Sequence, residues 1–257
     1  IIIFIMVVLE KALQQRHAEI DIINTPSGNP VAMVHCNNCT NDMNAWAGVL
    51  RETAQLFGAD PEDGTLFTRL YEKSLEGDAD CGGVLTCNYM AGEGVTHLDA
   101  GRPFVLRRPE SRFTLANFLR SQLYATMVTL RLGMEILQKE NVKIDSMTGH
   151  GGLFKTPVVG QKYMAAACEA PITVMETAGE GGPYGMALLA AFMEAKQEKK
   201  DAEATGETLE DFLENMVFAG VKCTTQEPDP EDVEGFAKYT DSFRRALAVE
   251  EKALERL

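Results

Sequence analysis

Basic residues are the scarce class in this chain. Lys and Arg number 24 against 38 Asp and Glu, which leaves a formal net charge of -14. Such a surface repels phosphate backbones and anionic lipids, which argues against nucleic acid and membrane partners. Long apolar runs are missing too. The opening stretch Ile1 to Leu9 is too short to span a bilayer and has no basic flank, so it reads as a buried strand. No signal peptide is recognised, and the six cysteines (Cys36, Cys39, Cys81, Cys87, Cys168, Cys223) are dispersed. Both features point to a reduced, cytoplasmic setting. His35, Cys36 and Cys39 form H-C-x-x-C, but Cys81 and Cys87 are spaced too widely for a second zinc pair, so the cysteines are read as core or turn residues and no metal site is expected. The single tryptophan, Trp46, and Met127, Met134 and Met164 are read as core. No internal repeat or low-complexity segment is present. The chain starts without Met in mid-strand, and is expected to be part of something longer.

What is present suffices for a sizeable core: 257 residues, 45% hydrophobic, enough for one large domain or two small ones. Apolar runs predict strands at Ile2–Leu9, Glu19–Asn24 and Pro30–His35. The turn Thr25-Pro26-Ser27-Gly28-Asn29 joins the last two, so the three read as an antiparallel meander. Helices follow over Asp42–Phe57 and Pro61–Glu76, then a strand at Gly82–Asn88. Leu119, Leu123, Met127, Leu130 and Leu137 lie at helical spacing and predict a long amphipathic helix over Leu115–Glu140. Strand and helix then alternate twice: Val142–Met147, Pro157–Cys168, Ile172–Met175, Gly181–Ala195. Lys196–Gly206 reads as a solvated link. Leu209–Val217 and Glu231–Leu257 read as closing helices around the turn-rich T-T-Q-E-P-D-P.

The chemistry concentrates in two glycine turns. The first strand of the alternating pair runs into Gly149, Gly151 and Gly152 within T-G-H-G-G-L-F-K-T. The second runs into Gly179, Gly181 and Gly182 within M-E-T-A-G-E-G-G-P-Y-G-M-A-L-L-A. Each turn is expected to open a helix. Glycine lets backbone approach a ligand closely, and helix N-terminal N–H groups favour anions. Consecutive β-α units with such turns suggest a nucleotide site built from backbone. Glu176 and Glu180 are read as electrostatic caps of the following helix. The order of elements, three strands, a helical region and two β-α units, is that of a ribonuclease-H-like half of an actin-like ATPase. The expected fold is α/β, a mixed sheet of the three-strand antiparallel meander plus parallel strands, flanked by helices.

These residues resemble the C-terminal domain of the FGGY carbohydrate kinases, over nearly the whole chain from Met6-Val7-Val8-Leu9-Glu10 to the C-terminal helix. T-G-H-G-G-L-F-K-T is similar to the family's adenosine motif, E-G-G-P-Y-G-M-A-L-L-A to the G-P-x-x-G-A-A-x-L-A run of xylulose-kinase-like members, and L-R-S-Q-L-Y-A-T-M-V-T-L-R to the long helix before the adenosine motif. The resemblance implies ATP- and Mg²⁺-dependent phosphorylation of a sugar hydroxyl, with a xylulose- or ribulose-like ketopentose as substrate. It implies that residues 1–257 are the nucleotide-binding half. The catalytic aspartate and most sugar contacts belong to an N-terminal domain absent here, so no catalytic residue is assigned and the isolated domain is expected to be inactive. Gly151, Gly152, Lys155, Thr156, Gly181 and Gly182 fall at nucleotide positions. Thr40, Asn41 and Asn44 fall where the family turns towards the terminal phosphates, although that turn is polar here where the glycerol kinases have glycine. His150 and the paired Gly181 and Gly182 also depart from the common pattern. Family members often form homodimers. Glycerol, gluconate or rhamnulose kinases of the same fold, and a non-catalytic actin-like nucleotide-binding module, are the alternatives.

Overall fold

One helix organises the structure. In the computed structural model, which describes residues 3–199 and 208–256, α3 (Leu115–Lys139) is buried on nearly every side. A helix in that position must satisfy its polar residues internally. Thr114 caps its first turn by accepting from the Asn117 amide at 3.2 Å. Ser121 and Thr126 bond back to the Phe118 and Leu123 carbonyls, and Thr129 meets Tyr89 Oη at 2.8 Å. Arg120 is almost fully buried, donates to Tyr124 Oη and the Gly77 carbonyl, and pairs with Asp232. Lys162 reaches the same Asp232 at 2.6 Å, which ties α3, α4 (Val159–Cys168) and α7 (Pro230–Arg256) together.

The expected meander is not formed. Strands β1 (Ile3–Val8), β2 (Asp21–Asn24) and β3 (Pro30–Cys36) are antiparallel neighbours in the order β1-β3-β2, with β3 in the centre. The reason lies in burial. β1 pairs with β3 over six positions, Ile3↔Cys36 to Val8↔Val31, and this sets Ile5 and Val7 beside Val34 and Ala32 on one buried face. β2 is exposed along its length, as suits an edge. The chain between β1 and β2 is pulled to the end of α3, where Glu140 accepts from the Gln14 amide and meets His17 Nε2, both at 2.7 Å. A β-carbon on Gly133 of α3 would collide with Val34, so this glycine sets how closely sheet and helix approach.

Helices α1 (Asn41–Leu56) and α2 (Asp63–Ser74) follow as expected, within two residues at each end. The next predicted strand is β4 (Val84–Cys87); its antiparallel partner β5 (Phe104–Arg107) carried no recognised signal. Strand β6 is Met147–Gly149, later than the apolar run Val142–Met147 implied. Its position is fixed by β7 (Ile172–Met175), with Met147 opposite Ile172 and Gly149 opposite Val174 in parallel. The segment read as a turn contains β8 (Cys223–Gln226), antiparallel to β7 and joined to it by a 2.8 Å contact between Thr173 and Thr225 hydroxyls. The three-strand and parallel portions therefore lie in separate sheets; among the described residues only β6-β7-β8 is mixed.

Helix α5 (Gly181–Lys199) extends into the expected link, whose residues 200–206 lie outside the described residues, as do Ile2 and Leu257 of the predicted terminal elements. The first closing helix is a short α6 (Leu209–Phe212) that runs into a π turn, Leu213–Val217. Met127, Met134 and Met164 are core, and Trp46 packs edge-on against Phe118 at 4.9 Å. Five cysteines are buried and Cys223 is exposed. Among the described residues no three His, Cys, Asp or Glu side chains are grouped to hold a metal ion. No described helix is long and apolar enough to cross a membrane.

Candidate functional site

The two glycine turns meet at the ends of β6 and β7, two adjacent parallel strands. Gly151 N–H donates to the Ala178 carbonyl at 2.7 Å. A β-carbon on Gly181 would stand 3.0 Å from His150 Cβ, and one on Gly179 would stand 3.7 Å from Lys155 Cε. Gly151, Lys155 and Gly181 are thus brought into one surface, with Gly152 and Gly182 beside them.

The glycines do not all serve one purpose. Gly151 has φ 102 and ψ -176, a conformation open essentially to glycine alone. Gly149 faces the ring of Phe154, 2.6 Å from where a β-carbon would stand. Gly152 and Gly182 would meet nothing within 4 Å, so the space over their backbone is open. That open floor is what close approach of a ligand requires.

The first turn does not open a helix directly, contrary to expectation. Gly152–Phe154 is a single 3-10 turn, then Pro157 and Val158 intervene before α4. Val158 sits at φ 71, a strained value for a β-branched residue, and this break separates the α4 dipole from the glycines. The second turn is continuous with a long helix, since the 3-10 turn Ala178–Glu180 leads straight into α5. The anion-favouring helix end of the site is therefore that of α5. Thr156 is buried, whereas Lys155 is exposed. The backbone and side chain of Glu176 bond to Lys222 in the turn before β8. The side chain of Glu180 lies outside the described residues.

Thr40, Asn41 and Asn44 form a second group at the start of α1. Thr40 precedes the helix without a side-chain cap bond; Asn41 and Asn44 are exposed. Their loop is held from below by residues the sequence did not single out. Glu93, from the loop after β4, is buried and accepts from the amides of Asn37 (2.9 Å) and Asn38 (3.3 Å) and from Asn38 Nδ2 (3.2 Å). Asn88 Nδ2 donates to the Cys39 carbonyl at 2.7 Å. Burial pushes the Glu93 carboxyl up, against the lowering pull of these donors. Asp42 in the first turn of α1 is likewise pushed up by burial, opposed by the Trp46 indole. In the sequence, A-G-E-G-V-T is an ordinary polar loop, and no local spacing marks Glu93.

Comparison with known proteins places this geometry. The profile described as the FGGY family of carbohydrate kinases, C-terminal domain, matches residues 3–194. Comparison with curated proteins finds no match. Among solved structures, xylulose kinase from Rhodospirillum rubrum superposes with a TM-score of 0.73 at 17% identity, over 98% of this chain and 46% of that one. Gluconate kinase from Lactobacillus acidophilus gives 0.64 at 19% identity, over 98% and 46%. Plasmodium falciparum glycerol kinase with ADP gives 0.63 at 12%, over 95% and 45%. The chain thus spans just under half the length of these proteins. It belongs to the FGGY family of carbohydrate kinases, of which it carries the C-terminal domain.

Proposed function

We propose that this chain is the nucleotide-binding half of a cytoplasmic, ATP-dependent kinase that phosphorylates a ketopentose such as xylulose or ribulose. The observation that carries the reading is the junction of the two glycine turns, with Gly151 bonded to Ala178 and open space over Gly152 and Gly182. In this reading ATP supplies the phosphoryl group, and Mg²⁺ compensates charge between its phosphates.

This chain's part is to bind and orient. Gly152 and Gly182 provide the floor, and Thr156 is the polar residue beside it. The α5 terminus favours negative charge by about 0.3–1 kcal/mol when exposed and up to ~2 when partly buried. That is too little to hold a nucleotide alone, so closure against a sugar-binding domain with the catalytic aspartate supplies the rest. Lys155 and the polar group Thr40, Asn41 and Asn44 would hold the phosphates. A homodimer is the proposed assembly.

The test is ADP release from ATP by the full-length protein with a panel of ketopentoses, gluconate, glycerol and rhamnulose. Ketopentose-dependent turnover is expected. Turnover only with another acceptor moves the substrate assignment, and nucleotide binding without turnover on any of them makes the protein a regulatory module.

A further inference from the structure

Two loops on the α1 side of the molecule are stitched together more densely than their exposure requires. Besides the three bonds to Glu93, Asn38 Oδ1 accepts from the Met90 amide at 2.8 Å and the Ala91 amide at 3.0 Å. Asn38 Nδ2 also donates to the Ala91 carbonyl at 3.1 Å, and Asn37 Nδ2 to the Gly92 carbonyl at 2.9 Å. Asn88 closes the far side on Cys39. The loop 88–93 is itself braced by Glu93 N–H to the Leu98 carbonyl at 2.6 Å. The clamped residues end where α1 begins, so whatever fixes Asn37 and Asn38 also fixes Thr40, Asn41 and Asn44.

We propose that Glu93 is a positioning residue for the phosphate end of the nucleotide site, holding the Asn37–Cys39 backbone so that Thr40, Asn41 and Asn44 keep one arrangement. This rests on the nucleotide reading above. A carboxylate is suited to the task because it only accepts, and Glu93 meets three donors from adjacent residues. A loop fixed beforehand has less freedom to lose when a ligand arrives, so the gain appears as affinity for the ligand group it faces. Placing a carboxylate in a buried site costs free energy unless donors compensate it, and here the compensating donors are those of the Asn37–Asn38 loop.

The experiment is calorimetric titration of ADP and of adenosine into the full-length protein, its Glu93→Ala and its Glu93→Gln variants. The unmodified protein is expected to bind ADP more tightly than adenosine. Glu93→Ala is expected to lower that preference by roughly tenfold, with adenosine affinity kept. Glu93→Gln keeps an acceptor oxygen and retains the preference to within about threefold. Should the alanine variant not fold, Glu93→Asp, which withdraws the acceptor by one methylene, is expected to lose the preference too. An unchanged preference in Glu93→Ala, or in Glu93→Asp where it replaces it, overturns the proposal. So do equal losses for both ligands, which would make Glu93 a general brace. If the unmodified protein binds neither ligand, the nucleotide reading itself fails; if it binds both equally, only the phosphate-end role fails.

Discussion

Adding one methyl group to each of two adjacent glycines separates the structural from the ligand-binding demands of the first turn. At Gly151 the surroundings are open but φ is 102, so Gly151→Ala meets no atom and is strained by its backbone alone. The expected loss is about 1–3 kcal/mol of stability, the usual magnitude for a non-glycine residue in such a region. For a chain of this size that is roughly 2–4 °C in Tm for each kcal/mol. At Gly152 there is neither a neighbour within 4 Å nor a left-handed φ. Gly152→Ala should therefore leave stability unchanged, or raise it by about 0.4–1 kcal/mol through the unfolded chain. If a nucleotide rests on this backbone, the methyl occupies its place. A misfit of about 1–3 kcal/mol corresponds to a roughly 5- to 150-fold weaker Kd for ADP. Urea unfolding and calorimetry on both variants give the four numbers. A Gly152→Ala protein that binds ADP as tightly as its parent refutes the placement of the ligand over this turn. A fully stable Gly151→Ala protein refutes the backbone argument.

Other outcomes follow from burial. Folding raises the carboxyls of Glu93 and Asp42, mainly by desolvation. The native state thus holds these protons more tightly than the unfolded chain. Their contribution to stability is full at low pH and is lost as pH rises above the ordinary 4.5 for Glu93 and 3.8 for Asp42 towards the raised values. Urea unfolding across that window at high salt should show a shallower decline for Glu93→Gln than for the parent; parallel profiles would contradict the assignment. Burial also pushes Cys87 and Cys168 up to about 12, and Cys36 and Cys81 well above the ordinary thiol range. A thiol reagent at mild alkaline pH should modify Cys223 rapidly and the other five only on unfolding; rapid loss of several thiols would show the core open. Removing Arg120 leaves Asp232 with Lys162 alone and uncovers the Tyr124 and Tyr163 rings it lies over. Arg120→Ala should cost about 3–5 kcal/mol, and a loss below about 1 kcal/mol would mean that the pair does not tie the helices together.

The sequence was most readable where period and punctuation agreed. Leu119 to Leu137 marked α3, and glycine after a short apolar strand marked both turns, because these signals are local. The strand order was not local. β1 passes β2 to reach β3 because Glu140, far along the chain, anchors the connecting segment. β8 was hidden for a similar reason: Thr224 and Thr225 resemble turn residues until β7 is there to pair with them. The two glycine turns are legible in the sequence, whereas the break before α4 is not, since a strained Val158 carries no local signal. Glu93 could not be found at all. Its significance lies in contacts to Asn37 and Asn38, more than fifty positions away.

Amide hydrogen exchange with and without ADP tests most directly whether the two glycine turns form one nucleotide surface. Slower exchange is expected in residues 149–156 and 178–182 together, with β4 and β5 unaffected. ADP binding with no change at either turn, or with protection at only one of them, would contradict a site made from their junction.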